Sequence, residues 1–287
     1  MTAHEYQSQT EGSPGAMHLG GMIAARLATM GEVLKEQFTR DAGFEINVRY
    51  FCLDNCLPER RASQIADAFP EPARMRRIST FRERKYTSKS LDKFDPLLKE
   101  ITFAFQDPAV TDVVERITGI PRQIPDPSLY AGGLSMMSQG HFLNPHIDNS
   151  HDASRRYYRT LNLLYYVTPG WQADYGGNLE LWDRRVRTKV TIPSLFNRLV
   201  VMETTPWSWH SVSPVVADAT RCCVSNYYFS PNSPTGEPYC HVTSFSARPE
   251  QPVRRAVSWV DSRLRGGVRR LFPRGLGRTD VYRGKDT

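Results

Sequence analysis

The segment NPHID, residues 144–148, places a histidine and an aspartate two positions apart. In a strand, side chains at that spacing share a face, so His146 and Asp148 can reach one ion. A neutral imidazole with a carboxylate suits a borderline cation such as Fe(II), and one more histidine completes a facial triad with open coordination positions. An H-x-D triplet is a common accident and assigns nothing alone, so its context has to carry the argument.

The chain has seven histidines: His4, His18, His141, His146, His151, His210 and His241. His4 falls in a polar tail and His18 precedes the first helical segment. His151, in NSHDASRR, reads as a solvated loop residue. His141 sits in a Gly-Gln turn, with a supporting role beside the motif as its sharper reading. His210 follows a hydrophobic strand in TTPWSWHSVSPV, 62 residues past Asp148. An imidazole in that setting also reads as a core histidine satisfied by a backbone carbonyl. Eleven residues on, Arg221 opens the apolar run RCCVSNYYF. A guanidinium entering a buried strand is costly unless it meets an anion, and its planar fork matches a carboxylate. An H-x-D, a spaced histidine and a buried-looking arginine together are a poor coincidence.

The elements that must hold these residues follow from periodicity. From Leu129 to Ser230, short runs of Val, Leu, Tyr and Phe alternate with Gly, Pro, Asn and Asp. LSMMS, NPHID, YRTLNLLYYV, NLELWD, LVVMETT and RCCVSNYYF are the candidate strands, and their rhythm predicts a sandwich or jelly roll. Upstream, Ile23, Leu27, Met30, Leu34 and Phe38 predict an amphipathic helix over 18–40. FEINVRYFCL predicts a strand, and DNCLPERRASQIADAF a turn and then a helix. Helices at 95–106 and 108–118 lead to a Pro-rich linker over 119–128. The organisation expected is a polar tail at 1–16, a helix-rich extension at 17–128, a jelly-roll core at 129–232, and a loop with a basic helical segment at 233–287.

Composition narrows the function classes. Hydrophobic residues make up 40% of the 287 positions, charged residues 23%, and the net charge is +7. Residues 251–287 hold nine Arg and one Lys against three Asp, so the whole excess lies there and positions 1–250 are neutral. A neutral body argues against nucleic acid as a partner. The basic segment reads first as a solvated face on an accessory helix, then as a surface drawn to anionic membrane through Trp259, Val260, Leu264, Leu271 and Phe272. No apolar run reaches a membrane span, and the first residues lack the pattern of a signal peptide. Five cysteines without zinc-ribbon spacing predict reduced thiols in a cytoplasmic protein, with Cys52 and Cys56 in the core.

Taken together, residues 129–230 resemble the Fe(II)/2-oxoglutarate dioxygenases, in particular their prolyl-4-hydroxylase-like branch. The resemblance rests on His146-Ile147-Asp148, Tyr165-Tyr166, Gly176-Gly177-Asn178-Leu179-Glu180-Leu181, His210-Ser211-Val212-Ser213-Pro214 and Arg221, with Arg159 and Trp171 in the family's texture. It implies a double-stranded β-helix (jelly roll) with a helical N-terminal extension, mainly β in class. It also implies His146, Asp148 and His210 as ligands of Fe(II). Arg221 is then the partner of the distal carboxylate of 2-oxoglutarate, helped by Tyr166 and by Asn162 four residues earlier on its strand. Fe(II), 2-oxoglutarate and O2 are the implied cofactor and co-substrates, with ascorbate as an accessory reductant. Gly176 and Gly177 read as a bulge or tight turn.

Two departures from the family pattern stand out. Met136 and Met137 stand where many members carry a tyrosine, and Cys223 stands where some carry serine. Asp148 favours hydroxylation, because halogenating relatives replace this carboxylate with a small residue, while desaturation and ring closure use the same ligands. The implied reaction is hydroxylation of an unactivated C–H of a small molecule or biosynthetic intermediate, with succinate and CO2 released. A prolyl hydroxylase acting on protein or peptide is the alternative. Outside that class stand a cupin-like metal protein without 2-oxoglutarate chemistry, which Arg221 opposes, and a non-catalytic scaffold, which the complete triad opposes.

Overall fold

Alternation along one central strand divides the molecule into two apolar layers. In β7 (Tyr158–Tyr166), Leu161, Leu163 and Tyr165 pack with the helices, while Leu164 and Tyr166 join the opposite cluster with Leu181, Val200 and Cys223. Both sides of the strand are buried, which explains its nearly unbroken apolar sequence. The computed structural model describes residues 18–40, 46–130, 132–250 and Tyr282. The tail at 1–16 and the helical segment expected within 251–287 lie outside the described residues.

The helical layer comprises α1 (Leu19–Thr29), α2 (Gly31–Thr39), α3 (Glu59–Asp67), α4 (Pro96–Ala104) and α5 (Pro108–Thr118). The helix expected over 18–40 breaks at Met30, whose ψ of 6° leaves helical geometry just before Gly31. Phe38 of α2 can then meet Phe51 edge-on at 6.3 Å. Asp95 and Asp107 each cap their helix by accepting from the amide two residues on, with Pro following at the first helical position. Gly119 ends α5 at φ 68°.

The sheet is antiparallel and runs in the order β1-β10-β7-β12-β5-β3-β6-β11-β8-β9. Its members are β1 (Tyr50–Leu53), β3 (Glu83–Ser88), β5 (Gly133–Met137), β6 (Phe142–Ile147), β8 (Leu179–Trp182), β9 (Lys189–Ile192), β10 (Arg198–Glu203), β11 (His210–Val212) and β12 (Arg221–Ser230). Three short strands flank this path: β2 (Arg76–Ser79) on β3, β4 (Ile124–Pro125) on β12, and β13 (Ser244–Phe245) on β6. The curled sheet with a helical layer is the jelly roll expected.

Several elements differ from the periodicity reading. Residues 76–88, too rich in arginine to show a hydrophobic pattern, form a hairpin whose β3 lies between β5 and β6. The stretch read as a helical extension therefore contributes β1, β2 and β3 to the sheet. The FEINVRYFCL strand starts its ladder at Tyr50, and just before it Arg49 accepts from the Glu203 amide at 2.9 Å while its guanidinium pairs with the Glu203 carboxylate at 2.7 and 2.5 Å. The linker at 119–128 contains β4, and residues beyond 232 return as β13. Among the described residues, no helix is long and apolar enough to cross a membrane.

Candidate active site

Two β-bulges aim the polar residues of the site. Leu143 of β6 pairs with Val212 of β11, yet His146 pairs with His210, so β6 holds one extra residue. Asn144-Pro145 fills that bulge, where a proline lacking an N–H does not cost a ladder bond. On β7, Leu161 pairs with Tyr228 but Arg159 pairs with Phe229, leaving Thr160 as the extra residue. Its hydroxyl bonds the Tyr228 carbonyl at 3.1 Å and Gln123 Oε1 at 2.7 Å, and Arg159 is turned towards the site.

His146 and His210 face each other with ring centroids 4.1 Å apart. Asp148, just past the end of β6, reaches His146 Nε2 at 3.5 Å and His210 Nε2 at 3.7 Å. One potential ligand atom from each of the three lies within 4.8 Å of the others. His146 Nδ1 is 3.0 Å from the Asn144 carbonyl and His210 Nδ1 is 2.9 Å from the Ser208 carbonyl. A carbonyl only accepts, so both Nδ1 atoms carry the proton. In the neutral rings both Nε2 lone pairs are therefore bare and turned to a common centre beside a carboxylate.

Electrostatics keep His210 and Asp148 in ligating form. Burial pushes the His210 imidazole down to about 4, and the neighbouring His146 adds to the effect. Burial alone would raise the Asp148 carboxyl, but the Arg159 charge and the two histidines outweigh it and hold it well below the usual carboxylate range. Arg159 is fully buried, with Nη1 3.2 Å from Asp148 Oδ2 and Nη2 2.9 Å from Asn149 Oδ1. Its guanidinium carbon lies 4.1 Å over the Tyr227 ring. Behind His210, Ser211 donates to the buried Glu180 at 2.6 Å, and Arg248 closes on the same carboxylate.

Arg221 opens β12, also buried, but among the described residues no carboxylate faces it. Nη1 donates to the Gly177 carbonyl at 2.9 Å, Nη2 meets only Met137 Sδ at 3.2 Å, and Nε has no partner. The guanidinium lies 5.1 Å over Tyr166, whose hydroxyl is buried without a hydrogen bond. Gly177, at φ 65°, makes this possible, since a Cβ there would press to 3.2 Å from Arg221 Cδ. Asn162 shares the inner face of β7 but stands opposite Tyr227, nearer the Arg159 end, with Oδ1 unpartnered. Cys223 pairs across the ladder with Tyr166 and belongs to the inner core.

The other histidines have distinct places. His141 accepts from the Ser138 amide at 3.3 Å and packs against Tyr86, outside the triad. The solvated reading of His151 is corrected: its Nδ1 meets Ser150 Oγ at 2.7 Å and its ring lies 4.4 Å from Tyr158. His241 and Phe245 were not singled out from sequence. Phe245 of β13 stacks on the His146 ring at 5.4 Å. His241 Nε2 is buried and unpartnered, and the charge of Asp148 acts on this ring against the effect of burial. The signal available was a short β-prone run, HVTSF, carrying one of only seven histidines. A cavity of about 470 Å³ opens here, with Asn149, Ser150, His151, Tyr158, Tyr239 and His241 in its wall.

The profile of the 2OG-Fe(II) oxygenase superfamily matches residues 132–229, the span that holds the triad and Arg221. Over this span the chain is similar to that superfamily. Mouse prolyl 3-hydroxylase OGFOD1 is 34% identical over 80 residues, which cover 26% of this chain and 15% of that protein. Among solved structures, a prolyl 4-hydroxylase from Phytophthora capsici aligns with 17% identity and a TM-score of 0.52, covering 77% of this chain and 71% of that one. SnoK, a non-heme alpha ketoglutarate dependent carbocyclase from nogalamycin biosynthesis, aligns at 10% identity and a TM-score of 0.52, covering 91% and 96%. These two likenesses share the fold of the oxygenase core. The donor set fits the superfamily's cofactors: two bare imidazole nitrogens with a carboxylate for Fe(II), and an arginine lacking its anion for 2-oxoglutarate.

Proposed function

We propose that this chain is an Fe(II)- and 2-oxoglutarate-dependent dioxygenase that hydroxylates an unactivated C–H of a small molecule or biosynthetic intermediate, releasing succinate and CO2. The observation that carries the reading is a pairing of opposites across one buried site. At one end ligand atoms of His146, Asp148 and His210 converge, and at the other Arg221 is buried without a carboxylate among the described residues. A dicarboxylate that chelates a cation at the first place and reaches the second answers both needs.

In this reading His146, Asp148 and His210 hold the metal, and Arg221 fixes the distal carboxylate of 2-oxoglutarate with the Tyr166 hydroxyl beside it. Asn162, further along the inner face, lies on the floor between the two ends. Arg159 orients Asp148 and keeps it ionised. When bound, Fe(II) and 2-oxoglutarate supply the oxidation of the C–H bond with O2, and ascorbate serves as an accessory reductant. The protein's share is orientation and a site closed to bulk water.

The small-molecule reading is supported by the cavity lined by Asn149 and Ser150, the residues that follow Asp148, and this cavity's volume is in the usual range for small ligands. A prolyl residue of a protein is the second reading, favoured by the partial likeness to prolyl 3-hydroxylase OGFOD1. The basic segment 251–287 is assigned no part in the chemistry, and vesicle sedimentation at low and high salt tests its attraction to anionic lipid.

The deciding experiment is succinate production from 2-oxoglutarate by anaerobically reconstituted Fe(II) protein, screened against lysate metabolites and proline-containing peptides. The reading expects Fe(II)-dependent succinate that rises with a subset of metabolites. Succinate formation unaffected by Asp148→Ala would overturn it.

A further inference from the structure

Asp148 does not end the line of polar groups at the site. Asn149 and Ser150 follow it directly, and both line the cavity. Arg159 holds Asn149 to Asp148 by bonding both. Ser150 is in turn locked to His241: the Ser150 amide donates to the His241 carbonyl at 2.9 Å, and the His241 amide donates to Ser150 Oγ at 2.8 Å. The His241 backbone is therefore fixed to the segment that follows Asp148, while its imidazole Nε2 is buried with no partner. A buried polar atom left without a partner is costly, and a wall of a cavity is where a ligand can supply one.

The rest of the wall is aromatic. Tyr158 and Tyr239 have ring centroids 5.4 Å apart at 31°, and His151 packs on Tyr158. One acidic and one basic side chain line the cavity, Asp152 and Arg155. The Asp152 carboxylate is already engaged by the amides of Ser154, Arg156 and Tyr157 and by the Ser154 hydroxyl. Arg155 is exposed at the rim, and no acidic partner is recorded for it among the described residues. The surplus on this wall is thus one cation, one imidazole nitrogen and the aromatic faces.

Resting on the oxygenase reading above, we propose that this cavity is the substrate subsite and that its substrate is a ring-bearing carboxylate. The ring lies against Tyr158 and Tyr239, the carboxylate meets Arg155, and a polar substituent bonds His241 Nε2. His241 is then a positioning residue that sets which C–H faces the metal site.

The test uses full-length protein loaded with Ni(II), a redox-inert stand-in for Fe(II), and 2-oxoglutarate, with both occupancies measured first. Failure of that loading would count against the oxygenase reading itself. On loaded protein, indole-3-acetate and N-acetylproline are titrated by calorimetry beside their primary amides. Each carboxylate should bind more tightly than its amide, and Arg155→Ala should abolish that preference. His241→Ala should weaken the carboxylates about five- to tenfold, with His241→Gln restoring part of the loss. Tyr239→Ala should cost about tenfold and Tyr239→Phe little. Loaded protein that binds neither carboxylate, or binds them equally well in His241→Ala and Tyr239→Ala, overturns the proposal.

Discussion

Two buried arginines on neighbouring strands meet opposite circumstances. Arg159 is turned inward by a bulge and finds Asp148, the Asn149 amide oxygen and the Tyr227 ring. Arg221 finds a backbone carbonyl, a thioether and the face of Tyr166, with Nε unpartnered. A guanidinium in the interior is tolerated when its charge is answered. The first is answered within the chain and has a positioning role. On the reading proposed above a ligand answers the second, and its cost in the free protein becomes affinity for an anion on binding. On that reading the same residue type at similar depth serves structure in one place and recognition in the other.

The contrast breaks most completely when the carboxylate that creates it is removed. Asp148→Ala takes away one of the three proposed metal donors and strands Arg159 in the position of Arg221. We expect no Fe(II) retained through anaerobic purification, by elemental analysis, and the same loss in His210→Ala. Full iron occupancy in either variant would show that the cation is held elsewhere.

Exchanging the losses at the two arginines sharpens the comparison. Arg159→Ala leaves the Asp148 carboxylate buried without its cation, and breaking such a pair costs about 3–5 kcal/mol. The thermal midpoint of the metal-free protein should fall by many degrees. Arg221→Ala removes an unanswered charge, so the same measurement should change little. The 2-oxoglutarate needed for half-maximal turnover should instead rise about ten- to hundredfold, with iron retained. Equal thermal losses would mean that both arginines are structural.

Much of this was legible in the chain because the chemistry is local. His146 and Asp148 sit two apart, Arg221 opens an apolar strand, and β7 and β12 are long apolar runs. What escaped depends on pairing over distance. The hairpin at 76–88 is a strand pair by virtue of β5 and β6, not of its own arginine-rich pattern. His241 and Phe245 matter because β13 returns to β6, and nothing in HVTSF specifies that partner. The inward turn of Arg159 was hidden too, since simple alternation from Leu161 sends it to the helical side. Only the ladder reveals Thr160 as the extra residue.

A smaller effect separates the metal-free protein from its loaded form through pH. His210 is held down to about 4 in the fold, against about 6.5 when unfolded. Between those values the unfolded chain binds a proton that the folded chain refuses, so stability falls as pH drops through that window. The thermal midpoint of the metal-free protein should decline from about pH 6.5 towards pH 4, and His210→Asn should flatten that decline. A slope unchanged by the substitution would assign it to other groups.

The smallest change is the most discriminating, because two measurements should move in opposite directions. The Tyr166 hydroxyl is buried beneath Arg221 and has no hydrogen-bond partner. An unsatisfied buried hydroxyl costs about 1–3 kcal/mol, of which Tyr166→Phe should recover a part. The ring that faces the guanidinium remains, so packing is preserved. Metal-free Tyr166→Phe should therefore be as stable as the parent or up to about 1 kcal/mol more stable in urea unfolding. If that hydroxyl instead helps Arg221 hold a carboxylate, the same variant should need about three- to tenfold more 2-oxoglutarate. Loss of stability in the metal-free form would mean that the hydroxyl already has a partner in the protein. Unchanged 2-oxoglutarate dependence would leave Arg221 as the anchor and reduce Tyr166 to the surface beneath it.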